Sequence, residues 1–246
     1  MGSEVEVTPI AATVFFGAAA GIVTGGVWSP EPGITAADSL AEFAGRACYQ
    51  SWDRPNPATR ANRDYLSHVL ANQDYSIFEH GSVSVYVTGV SRSFSHQMIR
   101  HRHISPSQLS QRYVNEYERS APVVPAAMEG DRVAKLVLFD FYEEALRTYD
   151  ALADRLMTAG LTRKAARDAA RAVLPNCQET RLVLTGNHRA WAEFIGKRYS
   201  DRASDEINEF ARRMLAILRE IAPNTYQNFP DGPDSDPAAG ALKAVA

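Results

Sequence analysis

The sequence predicts an α/β (α+β) fold, and three observations carry that prediction. Residues 82–90 alternate strictly, with Val83, Val85 and Val87 on one face and Ser82, Ser84, Tyr86 and Thr88 on the other, which is the period of a half-buried strand. Residues 132–156 space Leu136, Phe139, Phe141, Tyr142, Leu146, Leu152 and Leu156 for burial along a long amphipathic helix, and Gly160 stops it. Capping residues and proline stops punctuate several shorter helical runs on both sides of these two elements.

In chain order, no charge occurs from Thr8 to Trp28, but Gly17, Gly21, Gly25 and Gly26 interrupt that stretch and Glu4 and Glu6 precede it. A secretory or membrane signal needs a basic flank there, so a first strand followed by a Gly-rich loop through Pro32 and Gly33 is expected. Residues 36–51 place Leu40, Phe43, Ala47 and Tyr49 at near-helical intervals, and Pro55 and Pro57 close that helix. A helix over 59–72 precedes the alternating strand. Residues 92–102 then read as a helix that stacks Arg92, His96 and Arg100 at four-residue steps, ended by Pro106 and a loop. After the long helix, Thr162 caps a basic helix running to Val173, which Leu174 and Pro175 terminate. A short strand at 180–184 and helices at 189–199 and 203–221 complete the pattern. Residues 1–229 form one domain on this reading, and the Pro-, Asp-, Gly- and Ala-rich residues 230–246 form a disordered tail.

Composition narrows the function. With 26 basic and 29 acidic residues the chain has no general attraction to nucleic acid, so any anion binding is local. Cys48 and Cys177 are too few for a disulfide scaffold and lack metal-ligand spacing, which fits a cytoplasmic protein with no metal site. Cys48 reads as a buried structural thiol. No P-loop, Gly-x-Gly-x-x-Gly, His-Glu-x-x-His or Gly-x-Ser-x-Gly motif is present. What stands out is the run from Arg100 to Arg112, with Arg92 and His96 upstream, in which hydroxyl and amide side chains interleave with arginines as a phosphate site requires. Arginine is not a general base at neutral pH. Such a site works by charge stabilisation and orientation, and a cofactor supplies the harder chemistry.

The signature Arg100-His101-Arg102, seven residues, then Ser110 resembles that of the flavin-dependent thymidylate synthases. Residues 40–52, the run to Asn176 through Ala-Arg-Ala-Val-Leu-Pro-Asn, and residues 180–194 through Thr-Gly-Asn-His-Arg-Ala-Trp are similar to the actinobacterial branch of that family. The resemblance covers roughly residues 36–221. It implies a twisted, mainly antiparallel sheet flanked by long helices, in a homotetramer whose flavin sites form where subunits meet.

The implied reaction is reductive C5-methylation of a uridine 5'-monophosphate, dUMP to dTMP, with 5,10-methylenetetrahydrofolate as carbon donor and NADPH-reduced FAD as hydride donor. No enzyme thiolate is needed. Carried onto this chain, the resemblance assigns Arg100, His101, Arg102, Ser76, Glu79, Gln108, Asn187, His188 and Arg189 to the flavin, with Glu193 and Arg202 at the same site. It assigns the nucleotide to Arg92, Gln97, Met98, Ile99, Arg100, Gln108, Leu109, Ser110, Gln111, Arg112, Arg171 and Arg198. Arg198 is the catalytic residue of this scheme, a cation beside N3 of the uracil that raises electron density at C5.

The chain departs from the family pattern where Asp74 and Arg202 replace histidines, where Glu193 stands for histidine, and where Pro106 stands for an aromatic residue. Asp74 and Arg202 carry opposite charge, so an ion pair between them is expected. The departures also leave UMP as an alternative substrate, giving 5-methyl-UMP for a nucleoside antibiotic. Two readings from other classes are a non-catalytic flavin- or nucleotide-binding regulator and an RNA-binding module. The latter lacks the interleaved aromatics that base stacking requires.

Overall fold

The computed structural model describes residues 4–117, 121–230 and 232. Its order is β1 (Glu6–Ala12), α1 (Gly17–Val23), α2 (Ala36–Tyr49), α3 (Asn62–Asn72), β2 (Ser82–Ser91), α4 (Arg92–Met98), β3 (Ile104–Gln108), α5 (Arg132–Thr158), α6 (Arg163–Ala170), β4 (Glu179–Asn187), α7 (His188–Arg198) and α8 (Asp205–Ile221), with short 3-10 turns between. The fold is the mixed α/β one expected, with a four-stranded sheet in the order β1-β2-β4-β3. Neighbouring strands run antiparallel. Along β2 and β4, the Ser84 and Thr185 hydroxyls meet at 2.8 Å, while the Gly89 N–H donates to Glu179 at 3.2 Å.

Contacts divide the chain into two compact units. Unit 1 holds residues 1–6, 86–101 and 106–183, and unit 2 holds 7–85, 102–105 and 184–246. In unit 1, Val87, Val90, Phe94 and Met98 are buried, and Tyr149, Ala153 and Ala170 join α5 to α6, with Leu152, Val173 and Leu174 packed around them. Gly89 is needed in β2. Its φ is +69°, and a Cβ there would lie 1.8 Å from the Glu4 carbonyl oxygen.

Unit 2 is built on Trp28, Leu66, Phe78, Trp191, Phe194 and Phe210, all buried, and Val83 and Val85 of β2 are fully covered as the alternation requires. The side of α2 that is buried is not the expected apolar one. Asp38, Glu42 and Arg46 are buried at i, i+4 and i+8, while Tyr49 is exposed. Each of these charges is answered. Glu42 accepts from Arg46 Nε at 2.6 Å, Arg54 Nε at 3.0 Å and Asn62 at 2.9 Å. Burial alone would push its carboxyl up, but these donors hold it below the usual range. Asp38 accepts from the Thr225 hydroxyl at 2.6 Å and from the backbone N–H of Asn224 and Thr225, so it ties α2 to the turn after α8.

Several expectations are corrected. The Gly-rich stretch after β1 contains α1 as well as loop, because its alanines favour helix. The helix from Arg92 ends at Met98, so Arg100 lies beyond the stack formed with His96. Pro106 does not open a loop. It lies within β3, an edge strand, where a missing N–H costs no ladder bond, and the other edge strand, β1, carries Pro9. On α5, Tyr142 and Leu146 are buried as expected, but Leu136 and Phe141 are exposed, with Val133 and Val137 beside them. Cys48 is exposed rather than buried, because α2 turns its charged side inward. The expected tail lies outside the described residues except for Pro230 and Gly232. Among the described residues no helix is long and apolar enough to cross a membrane.

Candidate functional site

Unit 1 gathers four of the five arginines assigned to the nucleotide, Arg92, Arg100, Arg112 and Arg171. Ser91 caps α4, accepting the Phe94 N–H at 3.0 Å, and so sets Arg92 as the first helical residue. The half-buried Arg92 donates to the Leu109 carbonyl at 3.1 Å and pairs with the buried Glu116 at 3.7 Å. Gln178 donates to the other oxygen of Glu116 at 2.7 Å. Burial raises the Glu116 carboxyl despite the opposing Arg92 charge, and burial likewise loosens the Arg92 proton despite Glu116. Gln108 donates to the Thr180 hydroxyl at 3.2 Å, and the Leu109 N–H to the Arg181 carbonyl at 2.9 Å, so the signature segment is hemmed to β4.

At the C-terminal end of α6, Asp168 meets both Arg112 Nε at 3.3 Å and Arg171 Nη2 at 2.8 Å. Arg92 and Arg112 each keep a buried Nε with no hydrogen-bond partner. A buried guanidinium donor without an acceptor is costly within the chain and fits an anionic ligand that would complete it. Gln97, Met98, Ile99, Arg100 and His101 follow on and just after α4, with Met98 buried and Ile99 and Arg100 exposed. Ser110 and Gln111 are half-buried in the turn that leads to Arg112.

Unit 2 holds the other assigned residues. Asn187 caps α7, its side-chain oxygen accepting the Ala190 N–H at 2.8 Å, which leaves its amide donors for another partner. Ala190, Trp191, Phe194 and Ile195 anchor the helix, and Arg189, Glu193 and Lys197 lie on its other side. Arg189 is ion-paired with Glu79, and Glu193 with Lys197 one turn on. Ser76 and Glu79 lie in the exposed part of the 3-10 turn Tyr75–Glu79. Arg198 is the last residue of α7 and half-buried. Arg102 and Arg202 are exposed. Asp74 is also exposed, and among the described residues it forms no ion pair with Arg202, so the expected pairing is absent within the chain.

His188 is only 2% exposed. The Tyr226 hydroxyl donates to the His188 carbonyl at 3.1 Å, so toward the imidazole Nδ1, also 3.1 Å away, it can only accept. That assignment puts the proton on Nδ1 and leaves the buried Nε2, which has no partner, as an acceptor. Packing is tight here, because a Cβ on Gly81 would lie 2.7 Å from the ring. The part of this turn that is open at the surface is the neighbouring Arg189, paired with Glu79, whose guanidinium suits the phosphates of a dinucleotide cofactor.

Burial pushes the His188 imidazole down to about 4. The ordinary value is 6.5, so the unfolded chain takes up a proton that the native ring refuses. The contribution of His188 to stability is therefore present above about pH 6.5 and lost as pH falls through about 4, on the order of 3 kcal/mol in all. Asp38 and Glu116, both raised by burial, act with the opposite sign in acid, so the informative quantity is a difference between two proteins. Urea unfolding from pH 7 to 4 is expected to show a steeper loss of stability for the native chain than for His188→Gln, and parallel curves would refute the assignment.

Sequence reasoning missed Glu116, Asp168 and Tyr226. Only Asp168 carried a readable signal, its i,i+3 spacing to Arg171.

Residues 34–224 match the family model described as thymidylate synthase complementing protein. A flavin-dependent thymidylate synthase of Mycobacterium tuberculosis (strain ATCC 25618 / H37Rv) is 50% identical over 198 residues, 78% of this chain and 79% of that protein. One from Mycobacterium avium (strain 104) is 48% identical over 198 residues, with the same coverage. A probable flavin-dependent thymidylate synthase of Mycobacterium phage D29 is 49% identical over 207 residues, 82% of this chain and 87% of the phage protein.

Proposed function

The chain belongs to the flavin-dependent thymidylate synthase family, an enzyme family of methyltransferase type, and from that premise we propose that it methylates C5 of a uridine 5'-monophosphate, converting dUMP to dTMP. The observation that carries this reading is the set of Arg92, Arg112 and Arg171 in unit 1, two of which, Arg92 and Arg112, keep a buried Nε that makes no hydrogen bond within the chain. A phosphate monoester supplies that acceptor.

Bound FAD, reduced by NADPH, supplies the hydride, and 5,10-methylenetetrahydrofolate the carbon. The chain's own residues bind and orient. Arg92, Arg112 and Arg171 hold the nucleotide phosphate with Ser110 and Gln111, and Gln97, Met98, Ile99 and Leu109 flank the nucleotide. The flavin falls to Arg100, His101, Arg102, Gln108, Asn187, His188 and Arg189, with Ser76, Glu79, Glu193 and Arg202 at its border. Arg198 stabilises negative charge on the uracil ring, a fixed cation set where charge develops.

We read the protein as a homotetramer whose sites are shared between subunits, supported by the apolar side of α5 left open in the single chain. The match of one family model over 34–224 supports reading residues 1–229 as one domain. Two free cysteines support a cytoplasmic setting.

Tritium release from C5 tests the reaction, with dUMP and UMP assayed separately in the presence of FAD, NADPH and methylenetetrahydrofolate. Release from dUMP in excess of UMP is expected. Preference for UMP would assign the departures at Asp74, Pro106, Glu193 and Arg202 to ribonucleotide use, and release from neither would leave a binding protein without this activity.

A further inference from the structure

Asp168 occupies a costly position. It lies in the last turn of α6, where the helix dipole disfavours a carboxylate, and it is only half-buried. Exposed ion pairs of this kind add little to stability, so stability gives no reason for an acid there. What the acid does is join two arginines from different segments. Arg112 comes from the turn after the signature, and Arg171 from the residue that follows α6.

The geometry of the two contacts is informative. Oδ1 of Asp168 is 2.8 Å from Arg171 Nη2, yet it makes no hydrogen bond, and neither does the buried Nε of Arg112. The acid therefore neutralises and aligns one edge of each guanidinium, and of the five N–H donors on each the others are left for a further acceptor. Two further tethers fix the same register. Arg167 Nη1 donates to the Tyr113 carbonyl at 2.8 Å, and the Lys164 ammonium lies 4.9 Å from the centre of the Tyr113 ring. Arg92, itself backed by Glu116, feels the charge of Arg171, so without acids the three cations would repel one another. Three arginines against two carboxylates leave the group net positive, which suits a dianion.

We infer that Asp168 is a positioning residue for the nucleotide phosphate, holding Arg112 and Arg171 as one pair whose free N–H donors face the phosphate oxygens. The inference rests on the functional reading above and adds to it a residue that does not itself touch substrate.

The test uses the full-length holoenzyme with Asp168→Ala and Asp168→Glu. In Asp168→Ala, binding of dUMP or UMP is expected to weaken about tenfold or more, as when the partner that orients a ligand-binding side chain is removed. The corresponding nucleoside, used as a competitor, should bind as before, the KM for nucleotide should rise with kcat at saturation retained, and Asp168→Glu should recover most of the loss. The thermal midpoint of Asp168→Ala checks that the fold is kept. Unchanged or tighter monophosphate binding, or equal weakening of nucleoside and monophosphate, would overturn the inference. Inorganic phosphate separates it from the functional reading. Asp168-dependent phosphate binding in a chain that takes no uracil nucleotide would defeat that reading and leave the role of Asp168 standing, and phosphate binding that is absent or independent of Asp168 in such a chain would defeat both.

Discussion

Arg198→Ala is expected to lower kcat for C5 tritium release by about 10²–10³-fold, the scale on which removing one preorganised charge-stabilising donor slows an enzyme. The arginine ends α7, which Trp191, Phe194 and Ile195 bury firmly, so its backbone is held whether or not the side chain is present. Its structural value as a cation at a helix C-terminus is about 0.3–1 kcal/mol, too little to unfold the protein. Catalysis should thus collapse in a chain that still folds. Arg198→Lys separates charge from shape, because lysine keeps the positive charge and loses the planar fork. An intermediate rate for lysine supports a directional contact with the pyrimidine. If Arg198→Ala turned over within twofold of the native enzyme, the catalytic role would have to pass to another residue.

The second large effect is expected on α5. Val133, Leu136, Val137 and Phe141 are 70%, 53%, 64% and 60% exposed, and their spacing of i, i+3, i+4 and i+8 puts them on one side of the helix. Covering each fully would contribute roughly 1.5–3 kcal/mol, so together they are worth several kcal/mol to an assembly and nothing to the isolated chain. Val137→Glu with Phe141→Glu should split the assembly to a smaller species by light scattering, while helix content and the burial of Tyr142 and Leu146 are kept. If sites are shared between subunits, activity falls with the mass. A double variant of native mass and native rate would remove α5 from the interface.

The alternation that predicts β2 is legible because Val83, Val85 and Val87 are covered by the same chain that contains them. The long helix was equally legible as a helix, but its burial was not. An apolar stripe has the same periodicity whether a neighbouring helix or a neighbouring subunit covers it, so Leu136 and Phe141 could not be sorted from Tyr142 and Leu146. On α2 the inversion has another cause. Asp38, Glu42 and Arg46 have local spacing that suggests a wetted face, and the groups that satisfy them, Arg54, Asn62, Asn224 and Thr225, lie up to 187 residues away. The arginines of the site were readable from their density and from family resemblance. Of their carboxylate partners only Asp168 carried a signal, its i,i+3 spacing to Arg171, since an Asp or Glu that orients an arginine otherwise resembles any surface acid until its neighbour is known.

The prolines in β1 and β3 have a consequence for how such a protein can associate. Both outer strands of the sheet carry one, Pro9 and Pro106, so neither border offers an unbroken row of backbone donors. A second chain cannot lengthen the sheet by adding its own strand there without forfeiting bonds. Uncontrolled stacking into fibrils is thereby discouraged at both borders, and association is directed to other surfaces such as helical faces, whose side chains can specify a finite number of copies.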